Sequence, residues 1–216
     1  ILNQIQSIKN KKIITFKKNY YVLPKYDKKI LFKEAYLFCD WYLKKDSFKK
    51  NRNKFIKKFK KIIKKLILNL KLKNNVFVHK DFHVSNLMLV NNKIGVIDTQ
   101  DALIGNKAYD LASLVDDVRL KTSGSLKKKI YNFYLKNISN SEKHKFNNDF
   151  EILSVLRNLK IIGIFTRLSI RDGKKEYLKL IPYAWKLVGM RINRNKIFKD
   201  LRDLLKKNFK NELNEN

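Results

Sequence analysis

Residues 74–98 constrain the fold more than any other stretch, because helical periodicity stops there and three short strand-like runs appear with polar residues between them. Val76-Phe77-Val78 is β-branched and aromatic, Leu87 to Val90 and Ile94 to Ile97 are alike, and Asn91-Asn92-Lys93 separates the last two as a turn. A hairpin with a three-residue loop pairs Val90 with Ile94 and, four steps further, Asn86 with Asp98; a two-residue loop shifts the pairing by one. In either register the Asn86 amide and the Asp98 carboxylate lie side by side at the open end of the hairpin. The strands thus carry loops, and the loops carry the side chains capable of chemistry.

Elsewhere the pattern is helical. Apolar residues at Ile30, Leu31, Ala35, Leu37, Phe38, Trp41 and Tyr42 predict a helix over 29–45, after an extended stretch ended by Pro24 and Asp27. From Phe48 a second helix aligns Phe55, Ile56, Phe59, Ile62, Ile63, Leu66, Ile67 and Leu70 on one stripe, with lysines opposite. That lysine face reads as the solvated side of a docked helix, the alternative being contact with membrane or nucleic acid. After Asp98 an irregular segment holds Gly105, and helical spacing resumes over Tyr109 to Leu120, Ser125 to Leu135, Phe146 to Ile170, Glu176 to Val188 and Asn195 to Phe209. Gly124, Gly173 and Asn193 are the expected breaks. The predicted fold is mainly α with a small β-hairpin element (α+β), one unit over 1–216, since no Pro/Gly/Ser-rich linker or repeat divides it.

The net charge of +31 would by itself suggest a polyanionic partner. The lysines, however, are spread along the chain among abundant Asn and Ile, as a genomic bias produces, so neither nucleic acid nor membrane is expected as a partner. No apolar run is long enough to span a bilayer. Cys39 is the single cysteine and sits in the apolar string Ala35 to Cys39, which fits packing in a reducing, cytoplasmic setting.

Within His79-Lys80-Asp81-Phe82-His83-Val84-Ser85-Asn86, and at Asp98, stand the groups that phosphoryl transfer needs: a carboxylate to take the proton of an attacking hydroxyl, and hard oxygen ligands to hold magnesium against nucleotide phosphates. Asp and Asn also favour turns, and Asp98 can cap the segment after it, so spacing and strand context carry the inference. His79 reads as loop support; His83 is either support or a substrate contact. Gln100 and Asp101 can hydrogen-bond a sugar or satisfy a turn. Asp117, Arg119, Arg167, Arg171 and Asp172 are candidate pocket groups or surface ion pairs.

The arrangement His-x-Asp-x4-Asn, hairpin, Asp resembles the protein-kinase-like fold, and Phe82 and His83 within it resemble the aminoglycoside phosphotransferase and choline kinase superfamily. Asp98 to Gly105, Ala108 to Leu114, and Arg167 to Lys174 with Tyr177-Leu178 and Ile181-Pro182 are similar to the bacterial anomeric kinases of N-acetylmuramate and N-acetylglucosamine, over about Leu23 to Leu187. The resemblance implies Asp81 as catalytic base, Asn86 and Asp98 as magnesium ligands, and Asp110 as a brace of the loop that carries the base. It also implies ATP and Mg2+ as cofactors and an amino sugar of the cell-wall recycling type as substrate, for which the contacts read from position are His83, Gln100, Asp101, Arg119 and Arg171. Thr99 and Asn106 depart from the family pattern, where an aromatic residue and a proline are common.

Relatives of this design cover the triphosphate with a glycine-rich loop and a strand-borne lysine from an amino-terminal lobe. Here the first glycine is Gly95, and no Walker-type motif occurs. The expectation is therefore a carboxy-terminal lobe whose nucleotide-covering partner is missing, a chain that alone binds ATP poorly. Alternatives are an aminoglycoside, choline or other small-alcohol kinase, a non-catalytic pseudokinase, and a basic nucleic-acid-binding module.

Overall fold

The computed structural model describes residues 1–9, 12–14, 17–44, 51–136 and 138–214. In chain order its elements are helix α1 (Leu2–Gln6), strands β1 (Lys12–Ile14) and β2 (Tyr20–Val22), helices α2 (Lys28–Trp41) and α3 (Arg52–Leu68), strands β3 (Asn74–Val78), β4 (Leu87–Val90), β5 (Lys93–Val96) and β6 (Leu103–Asn106), and helices α4 (Ala108–Val115), α5 (Gly124–Leu135), α6 (Asn140–Asp172), α7 (Ile181–Ile192), α8 (Lys199–Asn208) and α9 (Lys210–Asn214). The chain is mainly α with small antiparallel sheets, as the periodicity predicts. Lys45 and Phe48, where one predicted helix ends and the next begins, lie outside the described residues.

Two compact units emerge, Ile1–Asp27 with Lys71–Phe150, and Lys28–Leu70 with Glu151–Asn216. The chain alternates between them, so no single stretch of linker composition marks a boundary.

In the first unit β3 pairs antiparallel with β6 through Val78↔Leu103, Phe77↔Ile104 and Val76↔Gly105. Segment 24–26 borders the other edge of β6: Tyr26 N–H donates to Ile104 O at 2.8 Å, and Ile104 N–H donates to Pro24 O at 2.8 Å. This strand corrects the irregular segment predicted after Asp98. All four of its residues are buried, so it shows no alternation, and its partner lies far upstream. Gly105 is required by close approach, because a Cβ there would stand 3.1 Å from Val78 Cγ2 and 3.2 Å from Tyr26 Cβ. Tyr26 meets Tyr109 edge-on at 4.9 Å, seating α4 on this small sheet.

A buried polar hub holds the same layer. Asp149 accepts from Lys71 N–H and Leu72 N–H, each at 2.8 Å, and from Asn106 Nδ2 at 2.7 Å, while Asn106 Oδ1 accepts from Ala108 N–H at 3.0 Å where α4 begins. A proline in place of Asn106 could supply neither bond. We expect Asn106→Ala to cost about 2 kcal/mol, since it removes one of the two bonds to a buried carboxylate oxygen that Leu72 N–H also serves and leaves a helix-start N–H without its partner. At about 2–4 °C per kcal/mol for a chain of this size the melting temperature falls by roughly 4–8 °C; a circular-dichroism melt unchanged by the substitution would contradict the hub.

The second unit is helical. Phe55, Phe59, Ile63, Leu66 and Ile67 bury the stripe of α3, and its lysines face solvent, as for a docked helix. Phe38, Tyr42, Phe59, Trp185 and Phe209 form an aromatic cluster, Phe38 lying 5.2 Å from Tyr42, 5.5 Å from Phe59 and 5.7 Å from both Trp185 and Phe209. Trp185 Nε1 donates to Tyr42 Oη at 3.2 Å. Cys39 is buried beside this cluster, and loss of solvation raises its thiol pKa above the ordinary range, an inert packing residue. The helix predicted from Glu176 starts instead at Ile181, because Pro182 fits only a first turn; Lys175–Leu180 is 3₁₀. The segment predicted from Asn195 likewise opens with a 3₁₀ turn, Lys196–Phe198, before α8. No helix among the described residues is long and apolar enough to cross a membrane.

Candidate active site

The hairpin that carries the polar residues turns on Asn91 and Asn92, both in the left-handed region with φ of 48° and 57°. This is the primed turn that matches strand twist, and Asn tolerates it. The loop is therefore two residues, not three: Val90 pairs with Lys93 and Leu87 with Val96. Continuing outward, Ile97 N–H donates to Asn86 O at 3.1 Å, so Asn86 stands opposite Ile97, one position from the register predicted with Asp98. The juxtaposition survives the shift, with Asn86 Nδ2 3.4 Å from Asp98 Oδ2.

Asn86 is the hinge of the arrangement. Its Nδ2 also donates to the Asp81 carbonyl at 3.0 Å, which fixes the amide orientation and leaves Oδ1 as an acceptor. The turn between them closes through His83 N–H to Asp81 O at 3.0 Å and Asn86 N–H to His83 O at 2.9 Å. Asp81 thus builds the loop with its backbone. Its half-buried carboxylate has no hydrogen bond among the described residues.

Two histidines frame this loop. His79 is fully buried, its ring edge-on to Phe82, with Nε2 2.9 Å from Ile97 O. A neutral imidazole meeting a carbonyl there carries its proton on Nε2, so the ring ties the start of the loop to the residue before Asp98. His83 is also buried. Asp110, in the first turn of α4 and fully buried, accepts from His79 N–H at 2.8 Å and Lys80 N–H at 3.0 Å. That double grip holds Lys80 in the left-handed region, φ 77°, a conformation costing about 1–2 kcal/mol for a residue with a Cβ. Asp98 also lies there, φ 66°, which turns its exposed carboxylate away from the strand path.

Of the remaining predicted residues, Asp101 lies 3.8 Å from Lys80 Nζ, and Gln100 stands exposed in the same turn, closed by Ala102 N–H to Thr99 O at 3.0 Å. Arg119 is ion-paired with Asp117 at 3.6 Å. Arg171 belongs to the second unit, where its guanidinium is bound to Asp172 at 2.7 Å and its pKa is raised by that hydrogen bond. Asp117, considered as a surface ion pair from sequence, is buried and accepts from Val84 N–H at 3.1 Å. Adjacent acidic residues Asp116-Asp117 give no sequence signal of burial.

One amide oxygen and one exposed carboxylate make too small a set for a metal held by protein alone, and no cluster of three His, Cys, Asp or Glu occurs among the described residues. The pair does fit Mg2+, which keeps waters and takes further oxygens from phosphates.

Residues 23–144 match the model of a phosphotransferase enzyme family. The chain is 34% identical over 167 residues to an N-acetylmuramate/N-acetylglucosamine kinase of Neisseria meningitidis, covering 74% of this chain and 50% of that protein. To the protein of the same name from Pseudomonas aeruginosa it is 32% identical over 190 residues, 85% of this chain and 56% of that one. The Pseudomonas putida protein of that name is 29% identical over 189 residues. The chain spans about half the length of these curated relatives.

Proposed function

The chain belongs to the phosphotransferase enzyme family, and from that premise we propose that residues 1–216 are the carboxy-terminal lobe of a cytoplasmic, ATP-dependent kinase acting on a hydroxyl of an amino sugar. N-acetylmuramate and N-acetylglucosamine, the sugars named for the relatives, are the substrates to try first. The observation that carries the reading is the Asn86 amide, bonded at once to the Asp81 carbonyl at 3.0 Å and the Asp98 carboxylate at 3.4 Å. A single side chain thereby sets the distance between a proton acceptor and a metal-binding carboxylate.

In this reading Asp81 takes the proton of the attacking hydroxyl, and a carboxylate without a competing hydrogen bond among the described residues suits that task. Asn86 Oδ1 and Asp98 would hold Mg2+, which would supply charge neutralisation at the phosphates. His79 and Asp110 keep the loop and the Asp98 strand in one frame. Gln100 and Asp101, on the exposed turn after Asp98, are proposed sugar contacts, with His83 and Arg119 at the loop as further candidates. The hairpin exposes apolar side chains on both of its faces, Leu89 and Ile94 on one and Met88 and Val90 on the other, Leu89 at 73%, surface that a covering nucleotide and lobe would shield from water.

The test is an assay of a chain carrying both lobes, with Mg-ATP, against N-acetylmuramate, N-acetylglucosamine, choline and kanamycin. Phosphorylation of either amino sugar is expected. Activity confined to choline and kanamycin would overturn the substrate assignment, and activity on none of the four would count against a kinase.

A further inference from the structure

The loop bearing Asp81 is gripped at both ends by carboxylates of α4 and its exit, and the rear grip belongs neither to the proton acceptor nor to the metal ligands. Asp110, in the first turn of α4, holds the N–H groups of residues 79 and 80, just ahead of Asp81. Asp117 lies two residues past the end of α4 and is 2% exposed. Its Oδ2 accepts from Val84 N–H at 3.1 Å, just behind Asp81, and its Oδ1 accepts from Arg119 N–H at 3.0 Å. Arg119 Nη1, 3.6 Å from the same Oδ1, supplies the countercharge that a buried carboxylate requires.

The spacing gives this pair its meaning. Asp110 stands in the first turn of α4 and Asp117 just past its end, seven residues apart in sequence. They bracket residues 79–84 with only Asp81 to His83 between the two points of attachment. Without the rear attachment Val84 can swing. The 83–86 turn would carry Asn86 with it, and Asn86 is what ties Asp81 to Asp98.

We propose that Asp117, with Arg119 as its counterion, is a positioning residue that locks the rear of this loop and so holds Asp81 and Asn86 in register for phosphoryl transfer. The kinetic part rests on the kinase reading; the bracing part does not.

The experiment pairs amide hydrogen exchange with kinetics on Asp117→Ala in the chain carrying both lobes. Exchange at Val84 and through residues 83–86 is expected to accelerate at least tenfold, with 79–80, held by Asp110, unchanged. The kcat is expected to fall on the order of 100-fold, the usual effect of misplacing a catalytic group by about 1 Å, while KM for nucleotide and acceptor stays within about threefold. Should the alanine variant not fold, Asp117→Asn carries the test. An amide has one acceptor oxygen where Asp117 uses two, so an intermediate loss of kcat, about tenfold, is expected at unchanged KM. Unchanged exchange at Val84 overturns the brace. Accelerated exchange with unaltered kcat overturns its catalytic consequence. A parent chain without phosphotransferase activity overturns the kinase reading instead, and the exchange result still decides the brace.

Discussion

Asp81→Asn is expected to reduce phosphoryl transfer about 10³-fold while leaving the fold intact, because the two functions of Asp81 reside on different atoms. The loop is built on its backbone carbonyl, which accepts from Asn86 Nδ2 at 3.0 Å and His83 N–H at 3.0 Å, and neither bond involves the carboxylate. An isosteric amide therefore preserves the turn, the placement of Asn86 and its approach to Asp98. It removes the one group placed to accept a proton, a contribution that general-base catalysis puts at about 10²–10⁴-fold. Measured in a chain carrying both lobes, kcat should collapse with little change in KM for the acceptor. The melting temperature should move by no more than about 2 °C, the range of a substitution that breaks no buried contact. A variant that keeps more than a tenth of the parent rate would sink the assignment. One that loses its fold would show that the carboxylate has a structural partner.

Much of this site is legible in the sequence because hairpin geometry is local. Strand runs at 87–90 and 94–97 bring Asn86 beside Asp98 whichever loop length joins them, and only the register depends on the conformation of Asn91 and Asn92. The lysine face of α3 is legible for a similar reason, since one helix's periodicity shows which side is dry. What the sequence hides is pairing at long separation. β6 is buried throughout and contains Gly105, so neither alternation nor propensity identifies a strand; it exists because β3 and segment 24–26 flank it. Asp149, Asn106 and Asp117 look like surface polar residues. Their burial is set by backbone N–H groups of distant segments that need acceptors, and pattern reading along a single chain does not register such needs.

Gly163 is the sharpest case, and Gly163→Ala is expected to be the most destabilising single-methyl addition in the second unit. In sequence it is one glycine in the middle of a predicted helix, where alanine would ordinarily gain about 0.5–1 kcal/mol through lower backbone entropy in the unfolded chain. In the fold it is where α6 crosses α2: a Cβ at Gly163 would lie 2.4 Å from the Leu37 carbonyl carbon and oxygen and 2.6 Å from Phe38 N. These are main-chain atoms inside a helix, so no rotamer change relieves the overlap. The helices must separate by about 1 Å, and Phe38, at the centre of the aromatic cluster, must move with its backbone. Overpacking of this kind costs about 1–3 kcal/mol and more when backbone must yield, so a net loss of about 3 kcal/mol is expected after the propensity gain. For a chain of this size that corresponds to a fall in melting temperature of roughly 6–12 °C. A rise of a few degrees would mean that propensity decides at this position and that α2 and α6 are not in backbone contact. The outcome is independent of any enzymatic assay and tests the helical packing of the second unit on its own.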